Sequence, residues 1–501
     1  MVFNFSFGCC RCEIPQCDIN NTTYDPEWLS IAVPLKDSVN HEPYRCIRYK
    51  YKYSFSSNKM DNFTYNMCTP EFFNINFTEK CDMWVFTDTE RTIVNDFNIM
   101  CDENKWKLSM VGTINIMGQL IGIPTSGFIS DKYGRKFIMI IGSVSSAIFG
   151  TIRSFTYDYY SFILFEFLDS MISSGVYAAT FVLGLELVSP KSRVMVSNLI
   201  CCFYPVGAVF MGFAAYMILD WRIILRVLYL PGLLILGCIW YVPESMRWLQ
   251  TQNRIEEMAG ILSKIAKSNG KTLPSSVKDA LIIKDQTTEA TKDSELSFIK
   301  LMKEIFDSKQ IFLRLINCSF CWVTITLVYY GLSLTSVEFN GNKYLNFMLI
   351  NVIEVPACIT SWYFMERFSR RKTQAFTFIF SGIGCILVII PSNLPGFQLL
   401  SFLGSKYAIS MAFNSMYVYT AEMFPTELRM SLFGITSMFG RLGSMLAPQM
   451  SLLANYFGNY VPILLFGMMS FISGAISFLF PETKDQKLPD TIKQVQLVEE
   501  N

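Results

Sequence analysis

Charged side chains inside long apolar runs are the residues of this sequence best suited to bind a charged solute. Arg441 lies ten residues into the apolar run 431–455, which places it about 15 Å deep if that run is a helix. An arginine at that depth costs about 2.5–3.5 kcal/mol to insert, so it should face an aqueous cavity or a partner. It could anchor the carboxylate or sulfonate of an organic solute, or form a structural pair with a glutamate.

Two more ionisable residues lie in neighbouring apolar runs. Glu354 is central in 345–365, where it could bind a cation or neutralise Arg441 between substrates, and Lys406 lies within 397–420. Nearby tyrosines could bind drug-like ions by stacking and cation–π contact, although aromatic residues in helices mostly serve packing. The candidate substrate-binding residues are therefore Arg441, Glu354, Lys406, Tyr329, Tyr330 and Tyr417.

Enzyme chemistry has little support in the sequence. His41 is the only histidine, which argues against a histidine-bearing metal site or catalytic triad. The triplet Gly270-Lys271-Thr272 does not complete a phosphate-binding loop, because Ile265 occupies the place of the required first glycine. We therefore expect no catalytic residues, no metal and no cofactor, and no direct coupling to ATP.

The composition indicates a membrane protein. Of the 501 residues 51% are hydrophobic and only 17% are charged, which is too apolar for a soluble chain of this size. The net charge of +1 gives no reason to expect nucleic acid as a partner. Apolar runs of about 18 to 25 residues suit helices that cross a lipid bilayer. The predicted fold class is an all-α polytopic membrane protein.

Eleven apolar runs qualify as spans, and the distribution of basic residues predicts their orientation. Lysine and arginine cluster in the turns 131–136, 190–193 and 366–372 and in the stretch 244–310, which are therefore expected to be cytoplasmic. The predicted spans are 109–130, 137–152, 160–185, 195–218, 223–243, 311–334, 345–365, 375–391, 397–420, 431–455 and 460–480.

Residues 1–108 differ from the rest of the chain because they are polar and rich in cysteine. Their cysteines are Cys9, Cys10, Cys12, Cys17, Cys46, Cys68, Cys81 and Cys101. Glycosylation sequons occur at Asn4, Asn20, Asn21, Asn62 and Asn76. An even cysteine count beside sequons predicts an extracellular, disulfide-held region, and the alternative is free thiols with chance sequons. The sequence does not determine the pairing.

The two halves of the chain carry the same charged residues in the same order. A charged turn at 127–136 returns at 365–371, and each turn is followed by a glutamate and an arginine seven residues apart. This repetition indicates a duplicated helical bundle. The charged residues are predicted to hold the cytoplasmic side closed; the alternative is that the basic ones serve only topology. They are Asp131, Arg135, Glu186, Arg193, Glu366, Arg367, Arg370, Glu422 and Arg429.

The domain organisation follows from these features. We expect an extracellular loop at 1–108, a first half of five spans at 109–243, a cytoplasmic linker at 244–310, a second half of six spans at 311–481 and a cytoplasmic tail at 482–501. Parts of the linker, 251–268 and 295–308, have the pattern of amphipathic helices on the membrane surface. Two spans precede the charged turn in the second half and only one in the first, so we expect the sequence to lack a first helix.

Several motifs resemble those of a known family. The charged turn, its repeat and Pro243-Glu-Ser-Met-Arg-Trp-Leu249 resemble signatures of the major facilitator superfamily. Narrower marks resemble its organic cation/anion/carnitine transporters, solute carrier family 22: the cysteine-rich region, Tyr330-Gly-Leu-Ser, Glu354-Val-Pro-Ala, Tyr419-Thr-Ala-Glu-Met-Phe-Pro-Thr426, Arg441-Leu-Gly-Ser-Met-Leu-Ala-Pro448 and Pro481-Glu-Thr. The resemblance runs from about Cys12 to about Ile492. One departure is Phe165-Glu166-Phe167-Leu168-Asp169-Ser170, where the family pattern Phe-Arg-Phe-Leu-x-Gly has an arginine in place of Glu166.

The resemblance implies a major facilitator fold of two pseudo-symmetric halves with twelve spans, eleven of them present here. It implies alternating-access transport of small organic ions, either anions, cations or zwitterions such as carnitine, in the plasma membrane. An arginine at the place of Arg441 resembles the anion and carnitine transporters. The alternatives are a sugar-porter-like facilitator and a non-transporting relative or truncated inactive form. The partners are a small organic ion and the lipid bilayer, with no nucleic acid, and a homo-oligomer is left open.

Overall fold

The chain forms a bundle of long helices with a small β-containing unit at one end. The computed structural model describes residues 10–15, 17–18, 24–26, 28–35, 44, 46–52, 68–86, 90–188, 193–270, 309–336, 342–390, 396–424, 429–458 and 460–484. We call the part before Lys105 the disulfide domain and its side of the bundle the disulfide end. The opposite side, where the two charged turns lie, is the charged-turn end.

Two small antiparallel pairs of strands and three disulfides form the disulfide domain. Strand β1 (Cys10–Cys12) pairs with β4 (Trp84–Phe86), and β2 (Ile47–Tyr51) pairs with β3 (Phe73–Lys80). Short helices α1 (Leu29–Ala32) and α2 (Ile93–Asp96) accompany them. The disulfides join Cys12 to Cys81, Cys17 to Cys68 and Cys46 to Cys101. The prediction of a disulfide-held region is confirmed for these six cysteines.

The remaining predictions for this region fall partly outside the described residues. Cys9 and the side chain of Cys10 lie outside them, and so do the sequons at Asn4, Asn20, Asn21 and Asn62. Asn76 is exposed on strand β3.

The first half consists of helices whose ends follow local signals. Gly134 has a φ of +103°, which suits glycine, and it separates the first two long helices at the charged turn. Asp158 and Asp220 each accept a hydrogen bond from a backbone N–H of the following helix and so act as N-caps. The helices are α3 (Lys105–Tyr133), α4 (Arg135–Arg153), α5 (Tyr159–Ser173), α6 (Val176–Leu187), α7 (Arg193–Ile218), α8 (Trp221–Tyr229) and α9 (Cys238–Tyr241), with a 3-10 helix at Leu230–Gly237 between the last two.

Two shorter helices, α10 (Met246–Thr251) and α11 (Ile255–Ser268), follow the first half. Helix α11 lies within the stretch 251–268 for which a helical pattern was predicted, whereas 295–308 lies outside the described residues. The second half contains α12 (Lys309–Thr335), α13 (Lys343–Val352), α14 (Glu354–Arg367), α15 (Arg370–Ile389), α16 (Phe397–Met423), α17 (Arg429–Leu446), α18 (Met450–Phe457) and α19 (Tyr460–Ser477).

Nine helical segments among the described residues are long and apolar enough to cross a membrane, counting broken helices such as Lys343–Arg367 as one. Their outer surfaces carry apolar side chains: Leu234 is 80% exposed and Phe380 is 63% exposed. Such side chains would be costly in water but are suited to lipid. The helical membrane architecture predicted from the sequence is therefore confirmed.

Small residues let the helices that carry the candidate site approach closely. In the second half, the Thr326 hydroxyl on α12 donates to the carbonyl oxygen of Gly440 on α17 at 2.5 Å. In the first half, a side chain at Gly118 or Gly122 on α3 would collide with α5. Close approach through glycine is a usual way for membrane helices to associate. These contacts fix α17, which carries Arg441, and α3, which faces it.

Asp96 joins the disulfide domain to the helices of the first half. Its carboxylate accepts hydrogen bonds from Arg91 Nε and Arg222 Nε, both at 2.8 Å, and from Trp221 Nε1 at 3.1 Å. Burial alone would raise the pKa of Asp96, but the hydrogen bonds from Arg91 and Arg222 outweigh it and lower the pKa below its usual value. Asp96 is therefore a charged contact between the two parts of the molecule.

We expect Asp96→Asn to lower the apparent melting temperature of the purified protein, because three donors lose a charged acceptor worth about 1–3 kcal/mol. A lowered folded-state pKa means that this contribution is present above the unfolded-state pKa of about 4 and is lost as the pH falls below it. The difference between variant and parent should therefore shrink in acid. Asp82→Asn is the matched control, since Asp82 is 83% exposed, and an equal effect of both variants would contradict the assignment.

Candidate functional site

The candidate ligands Lys406 and Glu354 lie against each other. Lys406 Nζ lies 2.9 Å from Glu354 Oε1 and donates to Ser333 Oγ at 2.8 Å. The Tyr329 hydroxyl donates to Glu354 Oε2 at 2.8 Å, and the lysine nitrogen lies 3.2 Å from the centre of the Tyr329 ring. Lys406 is 0% exposed and Glu354 is 5% exposed. The two charges therefore form a buried pair on α16 and α14, with Tyr329 from α12 in contact with both.

Arg441 has a different environment. Its Nη1 atom donates to Oε1 of Gln119 on α3 at 3.2 Å, so the contact joins the two halves of the bundle. Arg441 is only half-buried, and none of the ion pairs found among the described residues includes it. The structure therefore brings Arg441 to the boundary between the halves with a neutral partner.

One tyrosine from each half, Tyr204 and Tyr417, lies near the arginine. Tyr204 on α7 is 54% exposed and lies near Tyr330, Glu354 and Arg441. Tyr417 is 40% exposed, and its ring packs edge-on against Trp322 at 4.8 Å between centroids. Sequence reasoning named Tyr330 and Tyr417 but missed Tyr204, because it considered charged residues of the second half only. The available signal in the sequence was the position of Tyr204 inside a predicted span, directly before Pro205.

At the charged-turn end of the first half, Glu244 binds the start of α4. Its carboxylate accepts hydrogen bonds from the backbone N–H groups of Arg135 at 3.1 Å and Lys136 at 3.2 Å. The Arg135 side chain pairs with Asp131 at 2.9 Å and donates to the carbonyl of Ser130. A carboxylate at a helix N-terminus is stabilised by the free N–H groups and the helix dipole.

The second half repeats this arrangement with different residues. Glu482 accepts hydrogen bonds from the Ser369 hydroxyl and from the backbone N–H of Arg370 at 2.9 Å. Arg370 donates to the carbonyl of Met365, five residues earlier, just as Arg135 donates to Ser130. Burial would raise the pKa of Glu482, but the hydrogen bonds from Ser369 and the backbone outweigh it and lower the pKa.

Glu186 and Glu422, the glutamates that follow the two charged turns, also occupy equivalent positions, because each accepts a hydrogen bond from a hydroxyl group. Glu186 accepts a hydrogen bond from the Ser245 hydroxyl, and Glu422 accepts one from the Thr483 hydroxyl at 2.7 Å. Glu422 in addition pairs with Arg370 at 3.2 Å. Sequence reasoning missed Glu244 and Glu482 as members of these clusters. The signal was the repeated Pro-Glu-Ser and Pro-Glu-Thr at 243–245 and 481–483.

The other residues predicted for the charged clusters stand apart from these contacts. Glu366 and Arg367 are exposed. The side chains of Arg193 and Arg429 lie outside the described part of the chain. The interactions described above join residues of the same half, so the predicted closure of this end by charged residues stays a prediction.

At the disulfide end, in contrast, contacts cross between the halves. Glu90 of the disulfide domain pairs with Lys343 at the start of α13. Tyr216 at the end of α7 packs edge-on against Tyr344, with 6.0 Å between ring centres. Gln449 donates to Thr113 Oγ1 of α3 at 2.7 Å. The two halves are therefore held together on this side of Arg441.

Comparisons with known proteins agree with this architecture. A family model described as "Sugar (and other) transporter" matches residues 49–492. Organic cation/carnitine transporter 2 of Homo sapiens is 30% identical over 495 residues, covering 97% of this chain and 86% of that protein. Solute carrier family 22 member 21 of Mus musculus is 30% identical, with the same coverage of both chains. The chain belongs to solute carrier family 22.

Solved structures support the fold of this solute carrier. The inward-open conformation of the xylose transporter XylE from E. coli has a TM-score of 0.64 at 17% identity and covers 81% of this chain and 93% of that one. A partially occluded inward-open conformation of the same transporter has a TM-score of 0.61 at 19% identity. The protein is thus a multi-pass membrane protein of the major facilitator fold, in a family of transporters and not of enzymes.

The buried Lys406–Glu354 pair leads to a stability prediction. Lys406→Met or Glu354→Gln alone should strongly destabilise this solute carrier, because each leaves an unpaired buried charge at a cost of about 3–5 kcal/mol. The double variant should recover most of the lost stability. The measurement is the melting temperature of the purified variants together with their level at the cell surface. Single variants that unfold like the parent yet lose uptake would instead assign the two residues to substrate binding.

Proposed function

We propose that this protein transports small organic ions that carry a carboxylate, either anions or zwitterions such as carnitine. The observation that carries the proposal is the environment of Arg441. The guanidinium lies at the boundary of the two halves and binds a neutral amide at 3.2 Å. Its charge is thus available to a solute, since an arginine can bind a carboxylate through two parallel hydrogen bonds.

The other intramembrane charges of the second half support an anionic group as the target of Arg441. Lys406 and Glu354 pair at 2.9 Å and compensate each other. Arg441 instead has a neutral partner, so a substrate carboxylate can supply its counter-charge. A relative in mouse and human is named for carnitine, a zwitterion with one carboxylate and one trimethylammonium group.

The tyrosines around Arg441 suit the remainder of such a substrate. Tyr204 and Tyr417 are 54% and 40% exposed, although both lie well within helices of the bundle. Aromatic faces attract a quaternary ammonium group without needing a buried carboxylate. We therefore assign the carboxylate to Arg441 and the ammonium group to the surface formed by Tyr204, Tyr330 and Tyr417.

The contacts between the halves favour transport by alternating access. Pairs such as Glu90 with Lys343 and Gln449 with Thr113 cross between the halves at the disulfide end. At the charged-turn end, the described contacts of Glu244 and Glu482 stay within one half. We propose that the two halves rock about Arg441, and that opening the disulfide end requires these crossing contacts to break.

The number of membrane spans and their orientation are also proposals. We propose eleven spans, namely the nine apolar segments together with Phe397–Met423 and the broken helix Arg429–Phe457. The disulfide domain within 1–108 would lie outside the cell in the plasma membrane, where disulfides are stable. The linker 244–310 and the tail 482–501 would lie in the cytoplasm, in agreement with the basic residues of the charged turns.

The substrate assignment is tested by comparing carnitine with choline, which keeps the trimethylammonium group and lacks the carboxylate. Arg441→Ala should lower carnitine uptake at least tenfold and leave choline uptake within about twofold, because one charged hydrogen-bonding partner is worth about 1.5–3 kcal/mol. Arg441→Lys should have an intermediate effect, since it keeps the charge without the fork of donors. Surface biotinylation controls for expression. Carnitine uptake unchanged in Arg441→Ala would remove the residue from the site.

Alternating access is tested by the charge pair at the disulfide end. Lys343→Glu should slow exchange of carnitine several-fold, because it places two carboxylates together across the halves. The double variant Glu90→Lys, Lys343→Glu should restore most of the rate, because it recreates the pair with opposite polarity. Lys372→Glu, an exposed charge at the other end of the bundle, is the matched control. Failure of the double variant to recover would contradict a role for this pair in the cycle.

A further inference from the structure

Four polar side chains form a continuous line from the boundary between the halves into the first half. Arg441 Nη1 donates to Gln119 Oε1 at 3.2 Å, and Gln119 Nε2 donates to Asn115 Oδ1 at 2.8 Å. Asn115 Nδ2 then donates to Glu166 Oε1 at 2.7 Å. The line begins on α17, runs along one face of α3 and ends on α5. We call these four residues the relay.

The two ends of the relay determine the direction of every hydrogen bond in it. A guanidinium can only donate and a carboxylate can only accept. Gln119 must therefore turn its oxygen toward Arg441, and Asn115 must turn its nitrogen toward Glu166. Each amide, which alone could flip, is held in one orientation.

The far end of the relay is anchored by a buried ionic cluster. Glu166 is 4% exposed and pairs with Arg153, which is 3% exposed. Arg153 also lies 3.6 Å from Asp169 and donates to the Tyr229 hydroxyl at 3.0 Å. Tyr229 in turn donates to Asp169 at 2.9 Å. Side chains satisfied on several sides have little freedom to move, so Glu166 is a rigid end point.

We propose that Gln119, Asn115 and Glu166 are positioning residues that orient the Arg441 guanidinium for a substrate carboxylate and thereby set the preference for carboxylate-bearing solutes. The inference rests on the proposed function. A neutral amide fixes the direction of the guanidinium without cancelling its charge, which a direct glutamate partner would do. The relay thus orients the arginine for an anion and leaves the positive charge of the guanidinium for that anion to compensate.

The proposal also explains an unusual residue in the sequence. Glu166 stands where the related motif has an arginine. An arginine there would place a second donor against Asn115 Nδ2, and the relay could not keep its direction. The glutamate is therefore required by Asn115 and, through Gln119, by Arg441.

The test compares carnitine and choline uptake in cells expressing Asn115→Leu, which keeps a side chain branched at Cγ and interrupts the relay without removing an ion-pair partner. The KM for carnitine should rise about tenfold, while the KM for choline stays within about twofold. Glu166→Gln should act in the same direction, because an amide can present either a donor or an acceptor to Asn115. Ser146→Ala is the matched control: it removes the 2.6 Å hydrogen bond to Asp169 in the same cluster but lies off the relay, so the ratio of the two KM values should not change.

A double-mutant cycle separates a relay from independent effects. Once Gln119→Leu has interrupted the line, adding Glu166→Gln should change the carnitine KM less than twofold. The proposal would be overturned if the two substitutions changed the carnitine KM independently, so that their fold-changes multiplied. Equal changes in KM for carnitine and choline would also overturn it.

The same cycle measured as melting temperatures of the purified protein needs no transport. Non-additive shifts for Gln119→Leu and Glu166→Gln are expected, and additive shifts would refute the relay. If the parent takes up neither solute, the proposed function fails, and these melting temperatures alone decide whether the relay exists. Carnitine uptake by the parent with additive melting shifts would leave the proposed function standing and refute the relay.

Discussion

An ionised side chain within the membrane must have a partner, and the architecture of this protein follows from how that requirement is met. Lys406 and Glu354 satisfy each other at 2.9 Å inside the second half. Within the first half, Arg153 pairs with Glu166 and lies 3.6 Å from Asp169. Both groups are almost fully buried, and the pairs in each join residues of the same half. Arg441 alone of these charges reaches across that boundary, and its partner is an amide.

The charged-turn end is organised by a second constraint, the free N–H groups at the start of a helix. Glu244 binds the start of α4 and Glu482 binds the start of α15, and each glutamate comes from the chain segment that closes its own half. The polar residue after it, Ser245 or Thr483, binds the glutamate of another helix in that half. Each half is thereby tied together at this end as a unit. A rocking motion requires halves that each move as a unit.

The sequence predicted the elements better than the contacts between them. The charged turns, the helical spans and the disulfide-held region could be predicted because composition, periodicity and repetition act along the chain. The partner of Lys406 could not, since Glu354 is more than fifty residues away and only packing brings them together. For the same reason the sequence left the pairing of Cys12 with Cys81 open. The sequence showed Glu166 as a departure from a motif. The role proposed for Glu166 depends on its hydrogen bond from Asn115, and no motif in the sequence pointed to Asn115.

The disulfide domain contacts both halves, and under the proposed rocking motion this has a pharmacological consequence. It is fixed to the first half through Asp96 and Arg222, and it reaches the second half through Glu90 and Lys343. A molecule that clamps this domain against the second half would hold the contact between Glu90 and Lys343 closed. An antibody or peptide of this kind would inhibit without occupying the site at Arg441, because it would bind a conformation that solute entering from the disulfide end cannot bind.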